Sequence, residues 1–489
     1  MLTFAAMLAL AVPLDALVRP RPRPGLPGRR AAGIWLLAWM MTAAFGLFLA
    51  ICGNVPVAAA LALALLALLA LVSNAKRAML GEPLHFSDLA LIGAIFRHPQ
   101  FYLSAIRPWQ RLLVGLAALG LLGLLASLFV ADLAPHLAGV GLMAAGLAVL
   151  VLSLGAPPFK ALAMRPDADG DVCRLGLLPV LLIYWRRWRA TEKPLPCPPV
   201  ERVSPVGTPE LPVPELLVIV QCESFADPAE LFPGAEALPA LTAARARAWQ
   251  WGRLEVSGFG AYTMRTEYGL LFGRDEEALG FRRYDPFLTA LDDISYALPA
   301  RLKPAGWTSL FLHPHDMRFY GRDRIMPAAG FVELVADDRF APPAPGEGRY
   351  VTDAAMADEI VMLAQKAAGP TMLYAVTIEN HGPWAGDEVS EKRDLVGSYL
   401  RLARNSDAML ETLVSRIGAL KRPAMLVFFG DHRPSIPGAT QPGGARHTPY
   451  VMMRFDASGC LMEGARARVD LTPAQLHHAM LDALLGSSR

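Results

Sequence analysis

The chain has 489 residues, 54% of them hydrophobic and 18% charged, with a formal net charge of +2. That length suits two or three domains, the balance of charge carries no nucleic-acid signature, and five scattered cysteines (Cys52, Cys173, Cys197, Cys222, Cys460) lack both the pattern of a disulfide framework and metal-type spacing. The apolar residues are concentrated at the front of the chain.

Residues 34–53, 54–75, 112–133 and 137–159 are each about as long as a bilayer-spanning helix needs, which is roughly 20 apolar residues. Residues 1–18 form a fifth expected span, shorter and interrupted by Pro13 and Asp15. We read it as retained rather than as a cleaved signal peptide, because no Lys or Arg precedes its apolar run and no small-x-small cleavage site is evident. The predicted transmembrane domain is thus 1–160 with five helices. Next, "RLGLLPVLLIYWRRWRATEK" (174–193) reads as an amphipathic helix at headgroup level, and the Pro-dense 194–214 as a stiff linker. Together they make 161–214 a juxtamembrane connector.

From 215 to the end, short apolar runs alternate with amphipathic segments, which predicts an α/β domain with a mainly parallel sheet flanked by helices. Expected core strands are 215–221, 308–313, 371–378 and 424–430; expected helices are 236–249, 263–272, 353–368, 396–418 and 472–485. In open α/β sheets, ligands collect beyond the carboxyl ends of the strands. Those ends are chemical here: Glu223 in "QCESF", His313 and His315 in "HPHD", His381 in "ENHG", and Asp431 with His432 in "GDH". A mixture of Glu, Asp and His can hold one divalent cation, with oxygen-rich sets favouring Mn or Mg and nitrogen-rich sets favouring Zn. A Gly-rich turn runs into the 263–272 helix with Thr263 near its start. Such a helix start favours an anion, and a hydroxyl there that also met the cation would be an activated nucleophile; the plainer alternative is that Thr263 caps the helix. His447 of "GARHTPYVMM" lies in a turn before an expected edge strand, a candidate to line the site, and His477 and His478 are expected to be solvated on the last helix.

Five spans, a linker and "QCESF", "GAYTMRTEYG", "FYGRDR", "ENHGP" and "FFGDH" in that order resemble the lipoteichoic acid synthase and phosphoglycerol transferase family, a membrane branch of the alkaline phosphatase and sulfatase superfamily. The resemblance implies a sulfatase-like catalytic domain over 215–489, with Glu223, Thr263, Asp431 and His432 around a divalent cation, Mn2+ foremost and Mg2+ or Zn2+ as alternatives. Thr263 falls on the nucleophile that forms a phospho-threonine-type intermediate. Arg322 falls where the family sets an arginine against the donor phosphate, Tyr320 where lipoteichoic acid synthases have tryptophan, and His313 on a donor-pocket histidine. His315 stands where an acid is usual. His381 matches a pocket histidine, a proton donor to the leaving group or a partner for phosphate oxygens.

The implied function is transfer of phosphoglycerol from phosphatidylglycerol to an envelope glycan or a polyglycerol-phosphate acceptor. The same superfamily offers a phosphoethanolamine transferase, which typically carries several disulfides. A non-catalytic membrane sensor or scaffold is the alternative of another class, and a sulfatase would want Cys or Ser at position 263. The resemblance places the protein in a bacterial inner membrane, multi-pass, with the catalytic domain facing the periplasm or outside. The basic loops at 19–33 and 76–111 point the other way by the positive-inside rule; the resemblance is preferred because lipid-linked transfer to envelope glycans occurs outside.

Overall fold

The computed structural model describes residues 1–21, 30–91, 108–198, 213–344, 348–384, 394–464 and 468–485. Residues 22–29 and 92–107 of the two basic loops, and 199–212 of the Pro-rich linker, lie outside the described residues. The chain forms two compact units, Met1–Thr191 and Glu192–Arg489.

Helices stand at all five expected spans of the first unit: Leu2–Asp15, Ala31–Cys52, Val55–Leu80, Pro108–Ser127 and Leu133–Gly155. Among the described residues, three are long and apolar enough to cross a membrane, namely Ala31–Cys52, Val55–Leu80 and Leu133–Gly155. Leu2–Asp15 and the stretch Gly115–Ser127 are shorter apolar helices. Three of the five expected spans thus reach spanning length among the described residues. The first helix has 14 residues, and at about 1.5 Å per residue it falls short of a hydrocarbon core about 30 Å thick. Asp15, which interrupts its apolar run, is buried and accepts the backbone N–H of Leu177 at 3.1 Å. It thereby serves a first-turn donor of Leu177–Arg189, a group that helix geometry leaves without an internal partner. That helix buries Leu177, Val180, Leu181, Ile183 and Tyr184, and Arg186, Arg187 and Arg189 fall in its last turn, where cations suit the helix dipole.

The second unit is built on a seven-stranded sheet ordered β2-β7-β6-β1-β5-β3-β4. The strands are β1 (Leu216–Cys222), β2 (Gln250–Leu254), β3 (Thr308–Leu312), β4 (Glu333–Val335), β5 (Thr371–Val376), β6 (Ala424–Gly430) and β7 (Thr448–Phe455). β6, β1, β5, β3 and β4 run parallel, β7 is antiparallel to β6, and β2 antiparallel to β7. Every residue of β1, β5 and β6 is buried, because helices cover both faces of a parallel sheet and its strands become continuous apolar runs. Two strands escaped the sequence reading. β4 has only three residues and β2, "QWGRL", is half-buried and half polar. Their presence corrects β7, which is an inner strand with β2 as the true edge. The expected helices are observed as Pro239–Arg247, Thr263–Phe272, Asp353–Lys366, Leu395–Ala419 and Pro473–Leu485. Thr352 and Asp394 cap the third and fourth of them with side-chain oxygens.

Candidate active site

β1 and β6 are paired to their last residues, Cys222 opposite Gly430, so Glu223 and Asp431 leave the sheet side by side. After Glu223 the chain turns sharply through Ser224, which is left-handed at φ 51. The turn brings Phe225 O across the end of β6, where a Cβ on Gly430 would lie 1.8 Å from it. Only glycine allows that approach. It delivers the Ser224 N–H to Asp431 Oδ1 at 2.8 Å, which also accepts the His432 N–H at 2.8 Å.

Glu223, Asp431 and His432 each present a ligand atom within 4.8 Å of the others, and all three are buried. His432 Nε2 is 3.5 Å from Glu223 Oε1 and 3.6 Å from Asp431 Oδ2. Among the described residues that Oδ2 is buried with no hydrogen-bond partner, an arrangement that costs free energy unless a cation or proton completes it. Burial, then the neighbouring Glu223, pushes the Asp431 carboxyl up to about 7. Burial opposes a charge on His432, yet Asp431 and Glu223 raise its proton affinity overall. Two carboxylates and an imidazole competing for a single positive charge fit one divalent cation well.

Thr263 is the first residue of its helix, after a left-handed N-cap at Tyr262 that makes no side-chain capping bond. Its hydroxyl is not spent on the helix, and Oγ1 lies 3.4 Å from His432 Nε2. The preceding turn is stapled to the extension of β6: Phe259 pairs with Arg433, and Gly260 N–H donates to Arg433 O at 2.8 Å. Gly260 has φ +64, and a Cβ there would lie 2.2 Å from Ser435 Cβ. A second staple runs from Thr266 Oγ1 to Asp431 O at 2.7 Å. Thr263, Glu223, Asp431 and His432 are thus brought together.

The remaining candidates divide. His313, at the end of β3, is buried and its Nδ1 faces Val376 O at 3.0 Å. Burial, then the charge of Arg322, holds it well below the usual histidine range, so the neutral ring carries its proton on Nδ1. His315 lies beside it, ring centroids 6.1 Å apart, and burial lowers its proton affinity too. Arg322 is 1% exposed and makes a forked ion pair with Glu267, Nε to Oε1 at 3.1 Å and Nη2 to Oε2 at 2.5 Å. Tyr320, at φ 60, sets its ring 5.3 Å from that guanidinium. His381 Nδ1 contacts Gly382 O at 2.6 Å, and Tyr350 packs edge-on against its ring at 5.7 Å.

His447 is engaged elsewhere. Its Nε2 meets Glu230 Oε2 at 2.6 Å, and Arg433 spans the same pair, donating Nε to His447 O at 2.7 Å and Nη2 to Glu230 at 3.1 Å. Arg433 therefore ties the 433–447 loop together while its carbonyl holds the Thr263 turn. His477 was expected in solvent and is instead fully buried. Its Nδ1 faces Leu270 O at 2.8 Å, it props the Thr263 helix, and burial takes its pKa down to about 3; His478 is exposed as expected.

Sequence reasoning passed over Ser224, Thr266, Glu267, Thr377, Tyr350 and Asp353. Thr266 and Glu267 lie three and four residues after Thr263, a helical turn that repeats one face, so the spacing was a usable signal. Thr377 accepts the Glu223 N–H at 3.0 Å from the end of β5, which no local pattern announces.

The sulfatase family model matches residues 215–481, more than half of the sequence, and the chain belongs to that family. RkpI of Rhizobium meliloti (strain 1021), a capsular polysaccharide biosynthesis protein, is 28% identical over 432 residues, covering 84% of this chain and 79% of that one. The integral membrane lipooligosaccharide phosphoethanolamine transferase A (EptA) of Neisseria meningitidis overlays at a TM-score of 0.53 with 12% identity, covering 98% of this chain and 92% of that one. The phosphoglycerol transferase GacH of Streptococcus pyogenes overlays at 0.46 with 16% identity over 55% and 74%, a likeness too slight to bear on function. Among the described residues, three helices long and apolar enough to cross a membrane precede this sulfatase-family unit.

Proposed function

We propose that the protein is a metal-dependent phosphoglycerol transferase, taking phosphoglycerol from phosphatidylglycerol and passing it through Thr263 to a hydroxyl of an envelope glycan. The observation that carries this reading is the Thr263 hydroxyl, free of any capping duty and 3.4 Å from His432 in the Glu223, Asp431 and His432 group. The threonine separates transfer from sulfate hydrolysis. The polysaccharide assignment of the 28% identical relative supports a glycan acceptor.

Glu223, Asp431 and His432 would hold the cation, with Thr263 Oγ1 beside them. A bound divalent ion, Mn2+ by preference, lowers the pKa of an adjoining hydroxyl and offsets phosphoryl charge. Thr263 Oγ1 gives its proton to solvent and bonds to phosphorus, and the bond from phosphorus to the diacylglycerol oxygen breaks. We assign His381 to protonating that oxygen. His381, now neutral, takes the proton of the acceptor hydroxyl as that oxygen bonds to phosphorus, and Oγ1 leaves and regains a proton from solvent. The open amides at the start of the Thr263 helix, together with Arg322, orient the phosphate; such transfers depend mainly on positioning and charge. Tyr320, His313 and His315 would line the headgroup pocket. The catalytic unit would face the periplasm or outside of a bacterial inner membrane.

The test is to incubate the purified full-length protein with Mn2+ and either phosphatidylglycerol or phosphatidylethanolamine, following diacylglycerol release and the mass of the Thr263 peptide. The expected result is diacylglycerol from phosphatidylglycerol and a phosphoglycerol adduct that Thr263→Ala lacks. Release at the wild-type rate by Thr263→Ala would remove the nucleophile assignment. A phosphoethanolamine adduct would change the donor.

A further inference from the structure

We propose that Glu267 is a positioning residue for phosphate recognition, fixing the Arg322 guanidinium so that its Nη1 edge serves as a directed hydrogen-bond donor within a pair of no net charge; the inference rests on the phosphotransfer reading above. Glu267 lies four residues beyond Thr263 on the same helix, so both side chains share one face. It is completely buried, and Arg322 is 1% exposed. The fork consumes Nε and Nη2 of Arg322, and a guanidinium presents five donors in a rigid plane. Orienting two of the nitrogens therefore orients the third.

Arg322 opens its own short helix directly after Tyr320 and Gly321, two successive left-handed residues at φ 60 and 67. Such a backbone persists only when its surroundings hold it. Phe311 and Tyr320 wall the guanidinium at 5.9 and 5.3 Å, and Glu267 supplies a directional tie. A buried ion pair is seldom better for stability than apolar residues of the same volume, so the fold gains geometry from it rather than stability. The pair also links the nucleophile helix to the segment that carries His313 and Tyr320.

The test is calorimetric titration of the full-length, Mn2+-loaded protein with sn-glycerol 1-phosphate, beside its melting temperature. Glu267→Gln makes the locality more positive, so a charge role predicts tighter binding and a packing role predicts unchanged binding; either result overturns the proposal. The expected result is binding at least tenfold weaker. A second arm covers a variant that folds poorly. Added guanidinium should restore binding to Arg322→Ala but not to Arg322→Ala with Glu267→Gln, and equal restoration in both overturns the proposal. A wild type that binds no glycerol phosphate with the metal present overturns the transferase reading and this inference with it, whereas a binding wild type with an unaffected Glu267→Gln overturns this inference alone.

Discussion

Asp353 opens the helix Asp353–Lys366 and is buried, with Oδ2 accepting from Ser406 Oγ at 2.6 Å and Oδ1 without a partner among the described residues. Its backbone N–H donates to Glu379 Oε2 at 2.7 Å, and Glu379 Oε1 accepts from Asn405 at 2.7 Å. Burial, then the Glu379 carboxylate, takes the Asp353 carboxyl up to about 7 from 3.8. Between those two values the folded state holds a proton that the unfolded chain has lost. Stability therefore falls as pH rises through that window, by about 1.4 kcal/mol per unit for one group, and is flat outside it. Asp353→Asn should remove this group's share of the slope and leave that of Asp431: the variant should melt above wild type at pH 8 and match it at pH 4. Equal melting curves at pH 8 would mean that the carboxyl is ionised in the fold at no cost. At the ligand group itself, Asp431→Asn keeps an oxygen for the Ser224 and His432 amides and replaces the orphaned Oδ2 with a donor. Mn2+ affinity measured by calorimetry should drop at least tenfold while the membrane helices stay folded, and retained affinity would take Asp431 out of the ligand set.

At the scale of elements, the site depends on one turn lying flat against one strand. Gly260→Ala sets a left-handed φ against an L side chain, about 1 kcal/mol or more, and drives a Cβ to 2.2 Å from Ser435. We expect loss of Thr263 adduct formation at temperatures where the protein is still folded; a fully active variant would show that the turn can lift away from β6 without consequence. Much of this was legible beforehand. The four core strands and the Thr263 helix followed from apolar runs and from the Gly-rich turn, because parallel strands and helix starts carry local signals. Three-residue β4 carries none, and β2 exists because β7 offers it an edge, so its pairing is a tertiary fact. The site was legible in the same uneven way. Strand-end residues announced Glu223, Asp431 and His432, whereas the bond from Glu223 to Thr377 spans 154 positions, and His477 is buried by a neighbour 207 positions away. A helical pattern shows only that a histidine lies on some face, not which helix covers it.

In the molecule as a whole, apolar helices precede a sulfatase-like unit. All five thiols are free, and the buried Cys222, raised well above its usual pKa by burial first and then by Asp353, is a poor nucleophile. A reporter active only outside the cytoplasm, fused to the C-terminus, should be active in cells, and an inactive reporter on a well-inserted protein would reverse the orientation in favour of the basic loops.

The bond between Gly260 N–H and Arg433 O has one more effect. The Thr263 hydroxyl, the His432 imidazole and the Asp431 carboxylate sit on two segments that this bond keeps from sliding past one another, so they shift as a block or not at all. Change of substrate among such enzymes then has to run through parts hung around the block, such as the His313 to Arg322 segment, the loop bearing Tyr350 and the short helices after Gly273. Diversity in what is transferred, and to what, becomes a matter of exchanging fittings while the working edge of the tool is left alone.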